Sequence, residues 1–468
     1  MQKLTQPKTR EIIEDFAKQI RDKRITGPKP ALDVIAFRND LQIGKERPVY
    51  YVPIELLRFR KDNGRITSDV LSYERNYGLL DEKSEEAQHI LRKFLEEKDP
   101  EKTEELRFAI LKDGQREPAI ITCDGFLING NRRKVILEKL LQQPEYAGNI
   151  KFRTMKVVIL PAQDEEGGPP TLVEIEELEN RYQLQSEGKA EYYGFDRALS
   201  IRRKIEFGMS LEQQLKDDPT SAQLQPKEFA KKVEKVKDEL LRPLICVDRY
   251  LIHLGREGLY NTVSGGIADP EGRWQAFIDY YNSVYKKIGD EKQRIKLHIH
   301  EDEIGKIEDV AFKIIRMRYL PGLPKAHQIM RKLTTYLANK ESEAALLKLA
   351  DIDMNLLEEE MLDNDGKELD KRSLDRVWAQ KYQSTVIRHL KKSISICELR
   401  TEQETPEKLL DAALKKLNHK DMDPEKAHSK KRAMLLAEEV ENRAKELKSQ
   451  FYKLQKNKYQ KMETKDEN

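Results

Sequence analysis

Three cysteines, Cys123, Cys246 and Cys397, are spread over 468 residues with no paired spacing. That excludes a disulfide framework and a CxxC metal site, and it suits a reducing, cytoplasmic environment. No apolar run approaches the ~18 residues that a membrane-spanning helix needs. The N-terminal stretch is polar and charged from Lys3 onward, without the apolar core of a secretory signal. No membrane association is expected. Charge of one sign is not in excess either: 86 Lys and Arg stand against 83 Asp and Glu, a formal net charge of +3. A global attraction to nucleic acid is therefore excluded, and any such binding has to come from local patches. Also missing are the P-loop, the GxSxG elbow, the HExxH zinc motif and the protein-kinase signature. What is abundant is charge of both signs, 36% of all residues, as in helix-rich chains with extended solvated faces.

The pattern of apolar residues predicts an α+β protein whose strands gather in its first third. Residues 8–23 read as an amphipathic helix, ended by Gly27-Pro28-Lys29-Pro30. From Val49 a strand-like run leads to a turn at Asn63-Gly64-Arg65. Helices are expected at about 84–98 and 101–112, then a two-strand signal, PAIITCDGFLI, with Asp124-Gly125 as its hairpin turn. A helix from Asn131 to about Leu141 precedes a strand at 152–160, and residues 161–170 (PAQDEEGGPP) form a linker by composition. Beyond it the chain reads as helices at 171–185, 188–206, 210–216, 226–236 and 239–254, a looser stretch containing SGGIADPEG, and helices to about 420. At the C-terminus, Ala437, Val440, Ala444, Leu447, Phe451 and Leu454 repeat at spacings of three and four. That is a coiled-coil or helical-hairpin seam able to join two copies of the chain, or a helix packed on its own domain. The domains so predicted are a helical extension (1–47), a small α/β domain (48–162), a helical region (171–258), a second helical domain (272–400) and a helical tail (405–468).

The most unusual local feature is the start of the helix at Asn131. Arg132 and Arg133 sit in its first turn, where positive charge opposes the macrodipole by about 0.3–1 kcal/mol each. Gly130 permits positive φ or close backbone approach, and Asn131 is a good N-cap. Unpaired helix N–H groups with two forked guanidiniums make an anion site, most naturally for phosphate, and a bound oxyanion would reverse the unfavourable charge–dipole term. The plainer alternative is that both arginines face solvent. A second arginine-bearing turn lies at Asn63-Gly64-Arg65, and Gln115-Arg116-Glu117-Pro118 leads into the next strand. On the helix at 171–185, Glu176, Glu179, Asn180 and Gln183 share one side, away from Leu172, Ile175, Leu178 and Tyr182. A carboxylate and an amide there could hold Mg²⁺, or form an ordinary solvated acidic face. His298-Ile299-His300 beside Glu301-Asp302-Glu303 offers metal-ligand types without a placed third ligand, and His428 to Arg432 (HSKKR) is a small basic patch.

Taken in order, these pieces resemble the ParB/sulfiredoxin-like superfamily over roughly residues 48–185, and more faintly to about 255. The resemblance rests on Asn63-Gly64-Arg65, on Gly114 to Ile120, on Asp124-Gly125 with Asn129-Gly130-Asn131-Arg132-Arg133, and on Glu179-Asn180-Arg181-Tyr182-Gln183. It implies a nucleoside triphosphate site, with CTP as the ligand. Arg65, Gln115, Gly130, Asn131, Arg132 and Arg133 would line it, and Glu179 and Asn180 would lie near Mg²⁺. Asn131 stands where relatives carry glutamate or, in sulfiredoxins, a nucleophilic cysteine, so sulfinic-acid reduction is not expected and hydrolysis is left open. The resemblance further implies a helix-turn-helix region. FGMSLEQQL (207–215) resembles its start, and Lys231, Lys232, Lys235 and Lys237 on a later helix are the candidates to contact DNA. Three functions follow as expectations: a nucleotide-dependent DNA-binding protein, a ParB-like nuclease, or an adaptor that binds protein partners.

Overall fold

The structure is a computed structural model that describes residues 8–184, 194–263, 272–363, 365–419 and 421–463. It is α+β: one four-stranded sheet near the N-terminus and helices elsewhere. The chain separates into two compact units, Met1–Ser395 and Ile396–Asn468. The boundaries expected near 48, 162–171 and 258–272 thus fall inside one unit. The tail begins at Ile396 rather than at residue 405, and the stretch read as loose around SGGIADPEG lies largely outside the described residues.

The sheet runs in the order β1 (Ile25–Asp33), β2 (Arg47–Pro53), β4 (Thr154–Ile159), β3 (Ala119–Ile121). β1 with β2 and β2 with β4 are antiparallel, and β3 with β4 is parallel. A parallel pair needs a crossover, which the helix α5 (Asn131–Gln142) supplies. Strand alternation sends Val52, Ala119, Ile121, Met155 and Val157 to one face and Val49, Ile120 and Val158 to the other. The first face packs on α5 through Val135, Ile136 and Leu140 and on the helices α3 (Glu85–Glu97) and α4 (Pro100–Asp113). The second is covered by Ile175 and Leu178 of α6 (Leu172–Leu184). Both faces are buried, which is why the inner strands read as continuous apolar runs.

Three sequence expectations are corrected here. Residues 1–47 are not a helical extension, because β1 belongs to the sheet. Gly27 to Pro30, read as a helix stop, falls where the β1–β2 register slips between Thr26 and Ala31. An edge strand tolerates proline because the missing N–H has no ladder partner to serve. The first helix, α1 (Glu14–Lys23), starts six residues later than expected; Leu172 N–H donates to the carbonyl of Lys8, and Thr9 bridges Thr171. A further helix, α2 (Thr67–Tyr77), occupies a stretch given no element by the sequence pattern. Residues 161–170 carry no regular element, as expected of a linker. They are nevertheless tied down, since Arg38 donates to the carbonyl of Gly167 at 2.7 Å and to Glu174 at 2.7 Å.

The Asp124-Gly125 turn forms as predicted. Thr122 N–H donates to Phe126 O and Ile128 N–H to Ile120 O, both at 2.9 Å. Gly125 adopts φ +89°, and a Cβ there would meet Leu56 O at 2.7 Å. Asp124 is fully buried. Its carboxylate accepts from the Arg10 guanidinium at 2.7 and 2.8 Å, from Ile13 N–H at 3.1 Å and from the Thr122 hydroxyl.

In the first unit beyond the sheet, the helices α7 (Gly194–Glu206), α8 (Leu211–Lys216) and α9 (Pro226–Val236) share a small core of Ile201, Leu211, Leu215, Val233 and Val236. The second unit holds the end of a long helix, α10 (Lys371–Leu417), and the last helix, α11 (Lys430–Glu463). Leu410, Ala444, Leu447 and Phe451 border one shallow groove. Val440, Phe451 and Leu454 on α11 stay exposed, so the predicted seam is not closed within its own unit. No helix among the described residues is long and apolar enough to cross a membrane.

Removing one partner of a buried ion pair leaves the other uncompensated, at a cost of about 3–5 kcal/mol. Asp124→Ala is therefore expected to lower stability by about that amount in urea unfolding. It should also expose residues 8–13 to proteolysis, because Arg10 and the Ile13 N–H lose their shared anchor.

Candidate functional site

A cavity of about 460 Å³ opens between the sheet, the helices α4 and α6, and the N-terminus of α5. It brings together Arg65, Gln115, Gly130, Asn131, Arg132, Arg133 and Glu179, drawn from four separate stretches of sequence. Leu95, Leu106, Ala109, Ile110 and Ile128 supply an apolar wall. Among its lining residues six cations (Arg65, Lys98, Lys102, Arg116, Arg132, Arg133) face three carboxylates (Glu105, Glu117, Glu179). The balance favours an anion, and the apolar wall leaves room for a flat or hydrophobic moiety beside it.

The helix start carries the electrostatics. Gly130, not Asn131, is the capping residue of α5, at φ +88°, and no side chain caps the helix there. Asn131 is instead its first helical residue, and the first turn holds no acid. A Cβ on Gly130 would come within 2.7 Å of the Ala119 Cβ and 2.9 Å of the Met155 Cε, so the glycine lets α5 start flush against the sheet. Arg132 pairs with Asp99 at 3.4 Å. Arg133 donates to the carbonyl of Glu117, and burial pulls its guanidinium below the ordinary arginine value despite nearby Glu117. A burial penalty of this sign is what an incoming anion relieves. Asn131 is 9% exposed, and its side-chain oxygen is buried with no hydrogen-bond partner among the described residues. A buried polar atom left unpaired costs about 1–3 kcal/mol, and this one belongs to a residue that lines the cavity.

The second loop is held from below. Gly64 N–H donates to Glu179 Oε1 at 3.0 Å, and Asn63 Oδ1 accepts from Arg65 N–H at 3.0 Å. Glu179 also accepts from Gln183 at 2.6 Å and from Arg60 at 3.3 Å; Arg60 reaches Glu176 at 2.6 Å. Burial disfavours charge on Arg60, but Glu176 and Glu179 outweigh it and hold the guanidinium above its usual value. Burial likewise raises the Glu176 carboxyl, with Arg60 opposing it.

The remaining candidates fall in different places. Gln115 borders the cavity, yet its amide is a strand clamp: it donates to the carbonyls of Glu117 and Lys156 at 2.9 and 2.8 Å and accepts from Lys156 N–H at 2.7 Å. Asn180 does not line the cavity; its amide donates to Gln214 O at 2.9 Å and Asp217 Oδ2 at 3.0 Å. Among the described residues no group of three or more His, Cys, Asp or Glu is gathered to hold a metal ion, His298 and His300 included. Lys231, Lys232 and Lys235 are exposed on α9, with Lys235 3.7 Å from Glu239. Lys237 lies past the end of α9, half-buried and bonded to Glu234 at 2.9 Å. Cys123 is buried, and burial pushes its thiol up to about 12, which removes it as a nucleophile.

Comparison with known proteins identifies no relative. No family model, no curated protein and no solved structure matches the chain. The site therefore has to be read from its own geometry.

That geometry includes residues that the sequence reading missed. Lys98 borders the cavity and bridges two carboxylates, Asp69 of α2 and Asp196 of α7, both at 2.9 Å. Burial lowers its pKa, but Asp196 and then Asp69 prevail and hold the ammonium well above the lysine range. Arg203 of α7 pairs with Asp62 beside the Arg65 loop, and Arg181 pairs with Asp217 at 3.0 Å. The wall of the cavity is thereby tied to α7 and α8, the first two helices of the three-helix cluster.

Gly130→Ala forces a strained φ and an overpacked contact, and is expected to cost about 2–4 kcal/mol in urea unfolding. Gly148→Ala, with no atom within 4 Å of its Cβ, serves as the control and should stay within about 0.5 kcal/mol of the parent.

Proposed function

We propose that the chain is a nucleotide-responsive DNA-binding protein of ParB-like type, with the cavity at the start of α5 as its nucleotide site. The observation that carries this reading is the convergence of Arg65, Arg132 and Arg133 on an uncapped helix N-terminus inside a cavity with an apolar wall. Helix N–H groups and guanidiniums are the two donor types best matched to phosphate oxygens, and together they outweigh the repulsion between the arginines and the helix dipole. A volume of about 460 Å³ is in the range of small-molecule sites, roughly 300–1,000 Å³. The apolar wall offers a surface for a base, and CTP is the ligand that the resemblance implies.

DNA contact is assigned to α9. Lys231 and Lys232 are exposed on it and make no ion pair among the described residues, as phosphate-contacting side chains require. The three-helix core behind them presents that face outward. The nine residues between α8 and α9, which include the short helix Pro219–Ala222, make this connection longer than the usual helix-turn-helix turn. Coupling is then mechanical: Lys98 to Asp196 and Arg203 to Asp62 tie the cavity wall and the Arg65 loop to α7, Arg181 and Asn180 tie α6 to Asp217 at the end of α8, and α7 and α8 share their core with α9. A ligand that changes how the cavity walls sit changes the DNA affinity by the same free energy with which DNA changes the ligand's affinity.

Calorimetric titration of CTP, ATP and GTP, with and without duplex DNA, tests the nucleotide half. One nucleotide should bind, and Arg132→Ala or Arg133→Ala should weaken it by about 10- to 100-fold, the worth of one charged hydrogen bond. Unchanged affinity in both variants sinks the assignment. For the DNA half, Lys231→Ala and Lys232→Ala should weaken binding on every sequence tried and reduce the slope of log affinity against log salt by about one per lysine. An unaltered slope would place DNA elsewhere or nowhere.

A further inference from the structure

We propose that the cavity takes its phosphate-bearing ligand without a divalent cation held by the protein, and that Glu179 is a positioning residue for the Arg65 loop. This rests on the nucleotide reading above and departs from the Mg²⁺ role that the resemblance implies for Glu179 and Asn180.

Mg²⁺ takes near-octahedral oxygen ligands at about 2.0–2.1 Å and is normally held by one or two carboxylates with open lone pairs. The residues present do not fit that demand. Glu179 is 2% exposed. Its Oε1 is taken by the Gly64 N–H and by Gln183, and its Oε2 by Arg60. A cation reaching Oε1 would have to displace the Gly64 or Gln183 donor, and one at Oε2 would settle beside the buried Arg60 guanidinium. Asn180 is bound on the far side, to Gln214 and Asp217. Of the other two carboxylates on the cavity, Glu105 is paired with Lys102 at 2.9 Å, and Glu117 is exposed. Neither joins a cluster.

What the site offers in place of a metal is fixed positive charge. Arg65, Arg132 and Arg133 present forked donors, and the α5 N–H groups add their share. Asn131 lines the cavity, and its buried side-chain oxygen has no partner among the described residues. A hydroxyl or amino group of a ligand that reached it would complete it. Glu179 acts through others: its carboxylate pins Gly64, and Gly64 fixes where Arg65 stands.

The test is titration of the full-length chain with CTP, ATP and GTP in EDTA and again in Mg²⁺. The proposal expects the affinity of the binding nucleotide to agree within about threefold between the two buffers. It also expects Glu179→Gln, which cannot replace the charge facing Arg60, to weaken binding by the same factor in both. Binding that needs Mg²⁺, lost by about tenfold or more in EDTA, overturns it and leaves the nucleotide reading standing. So does a Glu179→Gln defect confined to the Mg²⁺ buffer. No binding in either buffer overturns the nucleotide reading, and this proposal with it. The parent-chain comparison stands even where the variant is too unstable to titrate.

Discussion

A guanidinium buried against two carboxylates fixes the working part of this protein. Arg60 lies between Glu176 and Glu179 of α6, while the same α6 packs its apolar side, Ile175 and Leu178, on the sheet. Taking three charges out of water costs several kcal/mol per ion before pairing repays it. The arrangement earns that cost by position rather than by stability. It lets Glu179 present an oxygen to the Gly64 N–H, so the loop bearing Arg65 is set by a charge-assisted bond instead of by loop entropy. Everything on the cavity's α6 side follows from that one contact.

The other side follows from backbone geometry. Arg132 and Arg133 oppose the dipole of α5, yet Gly130 brings that helix against Ala119 and Met155 and leaves its first N–H groups without a side-chain cap. Asp99 meets Arg132 and the Glu117 carbonyl meets Arg133, so the arginines are pre-oriented rather than loose. Pre-orientation matters for affinity, because an immobilised long side chain has already lost about 0.5–1.5 kcal/mol of rotamer freedom that binding would otherwise cost. The unfavourable terms, like charges and an uncapped helix end, lie on one cavity, and an anion is the kind of ligand that would relieve them.

Much of this was legible in the sequence where the signal is local. Apolar periodicity placed α5 to within a residue at each end, and Asp124-Gly125 announced its turn. The arginines stood out because charge and dipole disagree over a single helical turn. The failures share a different cause. β1 was hidden because Gly27 to Pro30 reads as a break, and only an edge strand with a register slip tolerates it. α2 was missed because its stretch, TSDVLSYERNY, mixes polar and apolar residues with little amphipathic contrast. Glu179 and Asn180 read as an Mg²⁺ pair or as a solvated acidic face, whereas in the structure both are buried: Glu179 accepts from Gly64 N–H, Gln183 and Arg60, and Asn180 donates to Gln214 O and Asp217. The two backbone partners, at Gly64 and Gln214, are groups that no side-chain pattern advertises. Lys98 had no local mark either, since both of its carboxylates come from other helices.

The same distant partners decide what the cavity can control. If Lys98, Asp62 and Asp217 were solvated, a ligand would alter only its own surroundings. Instead each holds a counter-charge on the three-helix cluster or on α6, and the Lys98 pair sits on the cavity wall itself. An anion entering beside Lys98 adds a third claimant for one ammonium. Asp69 and Asp196 would then be less well compensated, and Asp196 lies on α7. α7 shares its core with α9 through Ile201, Val233 and Val236, so a shift of α7 would bear on the face that carries Lys231 and Lys232. A second route runs through α6 itself: Glu179 on the cavity shares Arg60 with Glu176, and Glu176 is attracted by the buried Lys204 of α7.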